Sequence, residues 1–152
     1  MRDLTNDVKT ALAASSIKTA ILVELGFSSQ INIWTGYTYL THNSITYEPS
    51  AKIIQIDGIG ERSDISSVSS TITLTGVNPE LNYKLLTENW QNREAVVRLA
   101  LFDTNDAVIA DPIILSRGRM DNAVFSANGD GCTVSFTIES QLVDLETARG
   151  SR

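Results

Sequence analysis

Cys132-Thr-Val-Ser-Phe-Thr-Ile-Glu139 alternates without a break: Cys132, Val134, Phe136 and Ile138 are apolar, while Thr133, Ser135, Thr137 and Glu139 are polar. A period of two sends the two sets to opposite faces of a pleated strand, so the stretch predicts one buried and one wet face. Just before it stands Asn128-Gly129-Asp130-Gly131, whose glycines tolerate the positive φ of a tight hairpin. The same period recurs upstream. Ile21, Val23, Leu25 and Phe27 alternate with Leu22, Glu24 and Gly26, and Ile31–Trp34 returns after the polar turn Ser28-Ser29-Gln30. Tyr37–Leu40 and Ile45–Tyr47 read as short strands around Thr41-His42-Asn43-Ser44. Pro49 closes that pair, because it has no N–H to give to a ladder.

Further β runs follow. Ile54 and Ile56 oppose Gln55 and Asp57; residues 57–66 then hold two glycines and several charges, as an exposed loop does. Val68, Ile72 and Leu74 share one face, with Ser69, Thr71, Thr73 and Thr75 on the other. Ala95, Val97, Leu99 and Leu101 oppose Val96, Ala100 and Phe102, interrupted only by Arg98, so a helix or another subunit is expected over the second face. Asp103-Thr104-Asn105-Asp106 turns the chain; Ile113 to Met120 return, and Ala123, Phe125 and Ala127 continue the meander. Helical spacing is confined to three places. Leu4, Val8 and Leu12, with Ala11, form a thin stripe that Thr5 or Asn6 caps; Asn78 and Pro79 open a short helix that turns Leu81, Leu85 and Leu86 inward; Ser140 caps a closing turn with Leu142 and Leu145. The expected class is mainly β, a barrel or two packed antiparallel sheets with an N-terminal helix, one inserted short helix and a C-terminal helical turn. One domain fills residues 1–152: a helix over 1–14, a β-rich core over 19–139 and a tail over 140–152.

Bulk properties exclude several function classes. The formal charge is -6 and the 12 basic residues are scattered, Arg117 and Arg119 being the tightest pair. Nucleic-acid binding draws on clustered Lys and Arg, so none is expected. With Cys132 as the one cysteine there is neither an intrachain disulfide nor a cysteine metal cluster. Nothing reaches the ~18 apolar residues of a membrane span, nor the continuous apolar core of a signal peptide. The chain therefore reads as a cytosolically synthesised, soluble protein.

No set of residues reads as catalytic, cofactor-binding or metal-binding. His42, the single histidine, stands among turn residues and is expected at the surface; no glycine-flanked serine accompanies it as a nucleophile. Cys132 lies on an apolar strand face, as a small buried hydrophobe does. Asp57, Glu61 and Asp64 lack the spacing of a calcium loop, and Asp103, Asp106 and Asp111 are ordinary turn carboxylates. Gly58-Ile59-Gly60 lacks the third glycine of a dinucleotide motif. Trp34 and Trp90, with Tyr37, Tyr39 and Tyr47, suit core or subunit packing better than a stacking platform for sugars or bases. Arg117 and Arg119 flank Gly118 on one side of a strand, facing either acidic groups of a neighbouring subunit or solvent.

The order of segments resembles a family of minor tail and tail-hub proteins of long-tailed phages and prophages. The resemblance runs through Ile21-Leu-Val-Glu-Leu-Gly-Phe27, Ile33-Trp-Thr-Gly36 and Ser69-Ser-Thr-Ile-Thr-Leu-Thr-Gly-Val-Asn-Pro79. It continues through Trp90 to Phe102, Asp111-Pro-Ile-Ile-Leu-Ser-Arg-Gly-Arg-Met-Asp121 and Phe136-Thr-Ile-Glu-Ser-Gln-Leu-Val-Asp-Leu-Glu146. It implies a β-barrel related to the tail-tube fold, in a homo-oligomeric ring of three copies, or alternatively six. It also implies partners: distal tail and tail-tube proteins and a central fibre or tip protein, in a virion assembled in the host cytoplasm. Longer members carry cysteines that hold an iron–sulfur cluster; Cys132 alone cannot, so no cofactor is expected. An acidic ring would also suit a DNA conduit, since like charge keeps phosphate from sticking. The rival reading is a carbohydrate- or receptor-binding β-domain; a small hydrolase lacks the positioned groups that acid–base chemistry needs.

Overall fold

The computed structural model describes residues 4–14, 16–49, 53–57, 69–75, 83–84, 86–109, 111–128 and 131–140. Among the described residues helix α1 (Asn6–Leu12) precedes nine strands: β1 (Lys18–Leu25), β2 (Ile31–Trp34), β3 (Leu40–His42), β4 (Ile45–Pro49), β5 (Ile53–Asp57), β6 (Ser69–Thr75), β7 (Glu94–Phe102), β8 (Ile113–Asn128) and β9 (Gly131–Ser140). They make a single sheet in the order β3-β4-β2-β1-β7-β8-β9-β6-β5. The mainly β expectation holds. Among the described residues the ladders run from β3 at one edge to β5 at the other, in a sheet that curls on itself.

One pair breaks the antiparallel pattern. β4 lies parallel to β2, with Ile33 beside Glu48 and Trp34 beside Pro49. The chain reverses after Trp34, runs back as β3, and reverses again through Asn43 and Ser44, both left-handed with φ 49° and 64°. Two consecutive positive φ values are the signature of a type I′ two-residue hairpin turn. This second reversal slots β4 between β3 and β2. His42 and Thr41 therefore belong to β3 and not to the turn, and Tyr37–Tyr39 form a loop where the sequence predicts a strand.

The core explains the curl. Val23, Leu25, Ile33, Ile72, Leu74, Ala95, Val97, Met120, Val134, Phe136 and Ile138 form one buried cluster drawn from six strands. A sheet face is dry only when something covers it, and a seven-residue helix cannot roof six strands. The sheet covers itself. β9 behaves as its alternation predicts: Val134, Phe136 and Ile138 are at most 1% exposed, while Ser135 and Thr137 between them are only half-buried. Ile72 and Leu74 do the same in β6.

The second face of β1 and β7 is also buried, but by neither a helix nor another subunit. Leu22, Ala100 and Tyr47 form a separate cluster with Trp34, Leu40, Ile45, Phe102 and Val108. The β3–β4 hairpin thus folds over that face, supplying the cover from within the chain. β8 runs unbroken for 16 residues and takes in both expected runs, the one ending at Met120 and the one through Ala123, Phe125 and Ala127, with a bulge at Asp121 between them. The extra residue restores the alternation, so that Ala123 pairs with Phe136 as Met120 pairs with Ile138.

α1 uses less of its stripe than predicted. Val8 is buried, Leu12 is exposed, and Thr5 occupies the cap position without a side-chain cap bond. Tyr83, Lys84, Leu86 and Thr87 are helical, as expected of the inserted helix, but Leu86 points to solvent. A short element that touches the sheet along one line buries only part of its apolar content. Leu81, Leu85, Asn78, Pro79 and the closing turn with Leu142 and Leu145 lie outside the described residues; Ser140 is the last residue of β9.

At Gly118, β8 lies close against β9. A Cβ there would overlap the carbonyl oxygen of Glu139. Gly118→Ala is expected to cost about 1–3 kcal/mol, the usual penalty for forcing extra volume into packed structure. Arg117→Ala, at an exposed neighbour, should change stability by under ~0.5 kcal/mol. Thermal melts compare the two, and equal midpoints would refute the close-approach argument.

Candidate functional site

The residues singled out from sequence scatter across the structure. His42 is half-buried, and its Nε2 atom is buried without a hydrogen-bond partner, so the surface expectation is corrected. Its neighbours in β3 and β4 turn that side of the hairpin toward the sheet. Asp103 caps its own turn: its Oδ1 accepts N–H bonds from Asn105 at 2.8 Å and Ala107 at 2.9 Å. Those bonds, Ala107 first, hold its carboxyl below the ordinary carboxylate range. Asp106 pairs with Lys18 at 2.6 Å and Asp111 is exposed. These are structural turn residues. Glu61, Asp64 and Gly58-Ile59-Gly60 lie outside the described residues, as does the Cys132 side chain. Among the described residues no group of His, Cys, Asp or Glu has the geometry of a metal site, and no helix is long and apolar enough to cross a membrane.

Arg117 and Arg119 face β7. The Arg117 Nε donates to Glu94 Oε1 at 2.6 Å, within the chain. The more consequential ion pair leaves only a faint trace in the sequence. Glu24, only 8% exposed, accepts at one oxygen both Arg98 Nε and the Tyr47 hydroxyl, each at 2.8 Å. Burial first, then the bond to Glu24, pushes the Tyr47 phenol up. This buried triad links β1, β7 and the hairpin that covers them. Its signal is two polar residues, Glu24 and Arg98, on otherwise apolar strands.

The aromatic group predicted as packing divides. Tyr47 is core; Trp34 leans on Phe102 with ring centroids 5.9 Å apart, and Trp90 meets Phe136 edge-on at 6.2 Å. Tyr37 and Tyr39 do not pack: they are 85% and 70% exposed. Their loop is nonetheless fixed. Trp34 Nε1 donates to the Thr38 carbonyl at 2.7 Å, and the indole occupies the space a Cβ on Gly36 would need. Thr35 and Ile21 exchange two further bonds, at 3.0 and 3.1 Å. From Leu25 to Tyr47 no Asp, Glu, Lys or Arg occurs.

A second exposed apolar pair, Tyr83 and Leu86, sits at the other end of β1 and β2. There Ser28 donates from its backbone N, at 2.9 Å, and from its hydroxyl to Glu88, and Lys84 Nζ donates to Ser29 at 2.7 Å. Those Ser28 bonds hold Glu88 below its ordinary range. The helical segment is therefore pinned to the β1–β2 turn with its apolar pair outward.

The fold has a counterpart among solved structures. A chain in the virion of a native gene transfer agent particle shares this fold. The two superpose with a TM-score of 0.69 at 15% sequence identity, over 97% of this chain and 49% of that one. This chain thus spans about half the length of its structural neighbour. No family model and no curated protein matches the sequence.

Proposed function

We propose that this chain is a structural virion protein, a subunit of a hub or adaptor ring at the distal tip of a phage tail, joining the tube to the central fibre or tip complex. The observation that carries the reading is the fold shared along 97% of the chain with a component of a phage-like virion particle. The order of sequence segments described above points the same way. Two features of the molecule suit assembly. Tyr83 and Leu86 display an exposed apolar pair beside the β1–β2 turn. A pair of this kind suits a subunit contact, and repeated heterologous contacts close into a ring when the rotation allows. The formal charge of -6 suits the wall of a DNA conduit.

A tail reconstruction tests it directly. Density for this chain is expected as a closed ring near the distal end of the tube, three copies being the first expectation and six the second. A single copy, or none near the distal end, would overturn the reading.

A further inference from the structure

Tyr37 and Tyr39 have no folding role that accounts for them. They contribute nothing to either core cluster, yet the loop that carries them is clamped by Trp34, Thr35 and Gly36. A fixed base under two exposed rings removes most of the entropy a ligand would otherwise have to overcome, since a tyrosine has only two χ angles to settle.

Charge narrows the class of ligand. The loop lies within a stretch, residues 25–47, free of Asp, Glu, Lys and Arg, in a chain that is one-fifth charged. Phosphate, sulfate, nucleic acid and acidic glycans all call for Arg or Lys at the contact, and a cationic ligand calls for carboxylates. Neither is offered. The immediate neighbours Thr38 and Thr41 are exposed hydroxyl residues, donors and acceptors suited to a neutral, hydroxyl-rich partner.

Area then separates a sugar from a protein. Two aromatic side chains bury about 300–500 Å² at most. A stable protein interface takes about 800 Å² from each partner. The patch is too small for the second and adequate for a few sugar rings, whose C–H faces carry the partial positive charge that the face of an aromatic ring attracts. We propose that the Tyr37–Tyr39 loop is a binding site for neutral oligosaccharides, held by stacking on the two tyrosines. The inference rests on the loop itself and stands apart from the tail-tip reading.

Titration of the full chain with chitotriose, cellotriose and maltotriose, by calorimetry and by tryptophan fluorescence, tests it. At least one is expected to saturate with a Kd of about 0.1–10 mM, the range of a shallow site. Tyr37→Ala and Tyr39→Ala should each weaken binding by about tenfold, while Tyr37→Phe, which keeps the ring, should not. Tyr83→Ala removes an exposed tyrosine elsewhere and should leave affinity unchanged; circular dichroism verifies that all variants fold. Failure of all three sugars to saturate, or equal affinity in the Tyr37→Ala/Tyr39→Ala double variant, would overturn the proposal. Loss of ring assembly in that variant, without sugar binding by the parent, would assign the loop to a protein contact instead.

Discussion

Phe136→Asp and Val134→Asp are expected to leave no soluble folded protein, whereas Thr133→Asp and Thr137→Asp should fold. Both apolar residues are fully buried in the main cluster, and Phe136 also meets the edge of Trp90. Removing a buried phenylalanine side chain alone costs about 3–5 kcal/mol. An unpaired carboxylate in the same place adds several more, against a total stability of about 5–15 kcal/mol for a domain. The two effects together exceed what the fold can lose. Thr137 lies between Thr71 and Asn122 on the outer face, and Thr133 pairs with Thr75, so a carboxylate there stays hydrated. Soluble yield and near-ultraviolet dichroism of Trp90 compare the four variants. Equal yields in both sets would mean that the register of β9 is not the one described.

That contrast is legible in the amino-acid sequence alone, because period two and burial say the same thing in β6 and β9. The pairing of β8 with β9 is equally legible: Asn128 stands opposite Gly131. Legibility fails where a nonlocal partner decides the outcome. Nothing in Tyr37-Thr38-Tyr39 distinguishes a strand from a loop; the bond from the Trp34 indole to Thr38 does. Likewise His42 reads as a turn residue until Asn43 and Ser44 take the two left-handed positions and leave it paired with Ile45. The dry second face of β7 is visible in its residues. Its cover, a hairpin from residues 40–49 folded over from the sheet edge, is not, because no local pattern encodes which distant segment supplies the roof. The exposed tyrosines stand out as aromatic residues, but separating them from Tyr47 requires knowing which side of the hairpin meets the sheet.

Glu24→Ala is expected to destabilise the protein by about 2–4 kcal/mol, slightly less than the ~3–5 kcal/mol typical of breaking a fully buried pair. The reduction follows from Arg98, whose side chain keeps 26% of its exposure and so retains some hydration when its partner goes. Tyr47 has no such relief at 2% exposure, and its hydroxyl would be left without the acceptor it has now. Tyr47→Phe should cost only about 1 kcal/mol, since Glu24 keeps its bond to Arg98. The informative variant is the double one. Glu24→Leu with Arg98→Leu places two apolar chains on a face already lined by Leu22 and Ala100, and buried pairs replaced in that way often lose little. The double change should therefore cost clearly less than the sum of its single changes, with a coupling of about 1–3 kcal/mol. Denaturant titration of the four proteins measures it. Additive costs would show that the triad is incidental. Coupling with full stability in the double variant would instead mean that Glu24 and Arg98 serve to select how the β3–β4 hairpin seats on β1 and β7, a question of specificity more than of strength. The raised phenol of Tyr47 gives an independent reading of the same contact. Its contribution is complete below the ordinary tyrosine value near 10 and is lost as pH climbs beyond that, because only the unfolded chain releases the proton readily. Alkaline unfolding should accordingly shift to higher pH in Tyr47→Phe once its lower starting stability is subtracted.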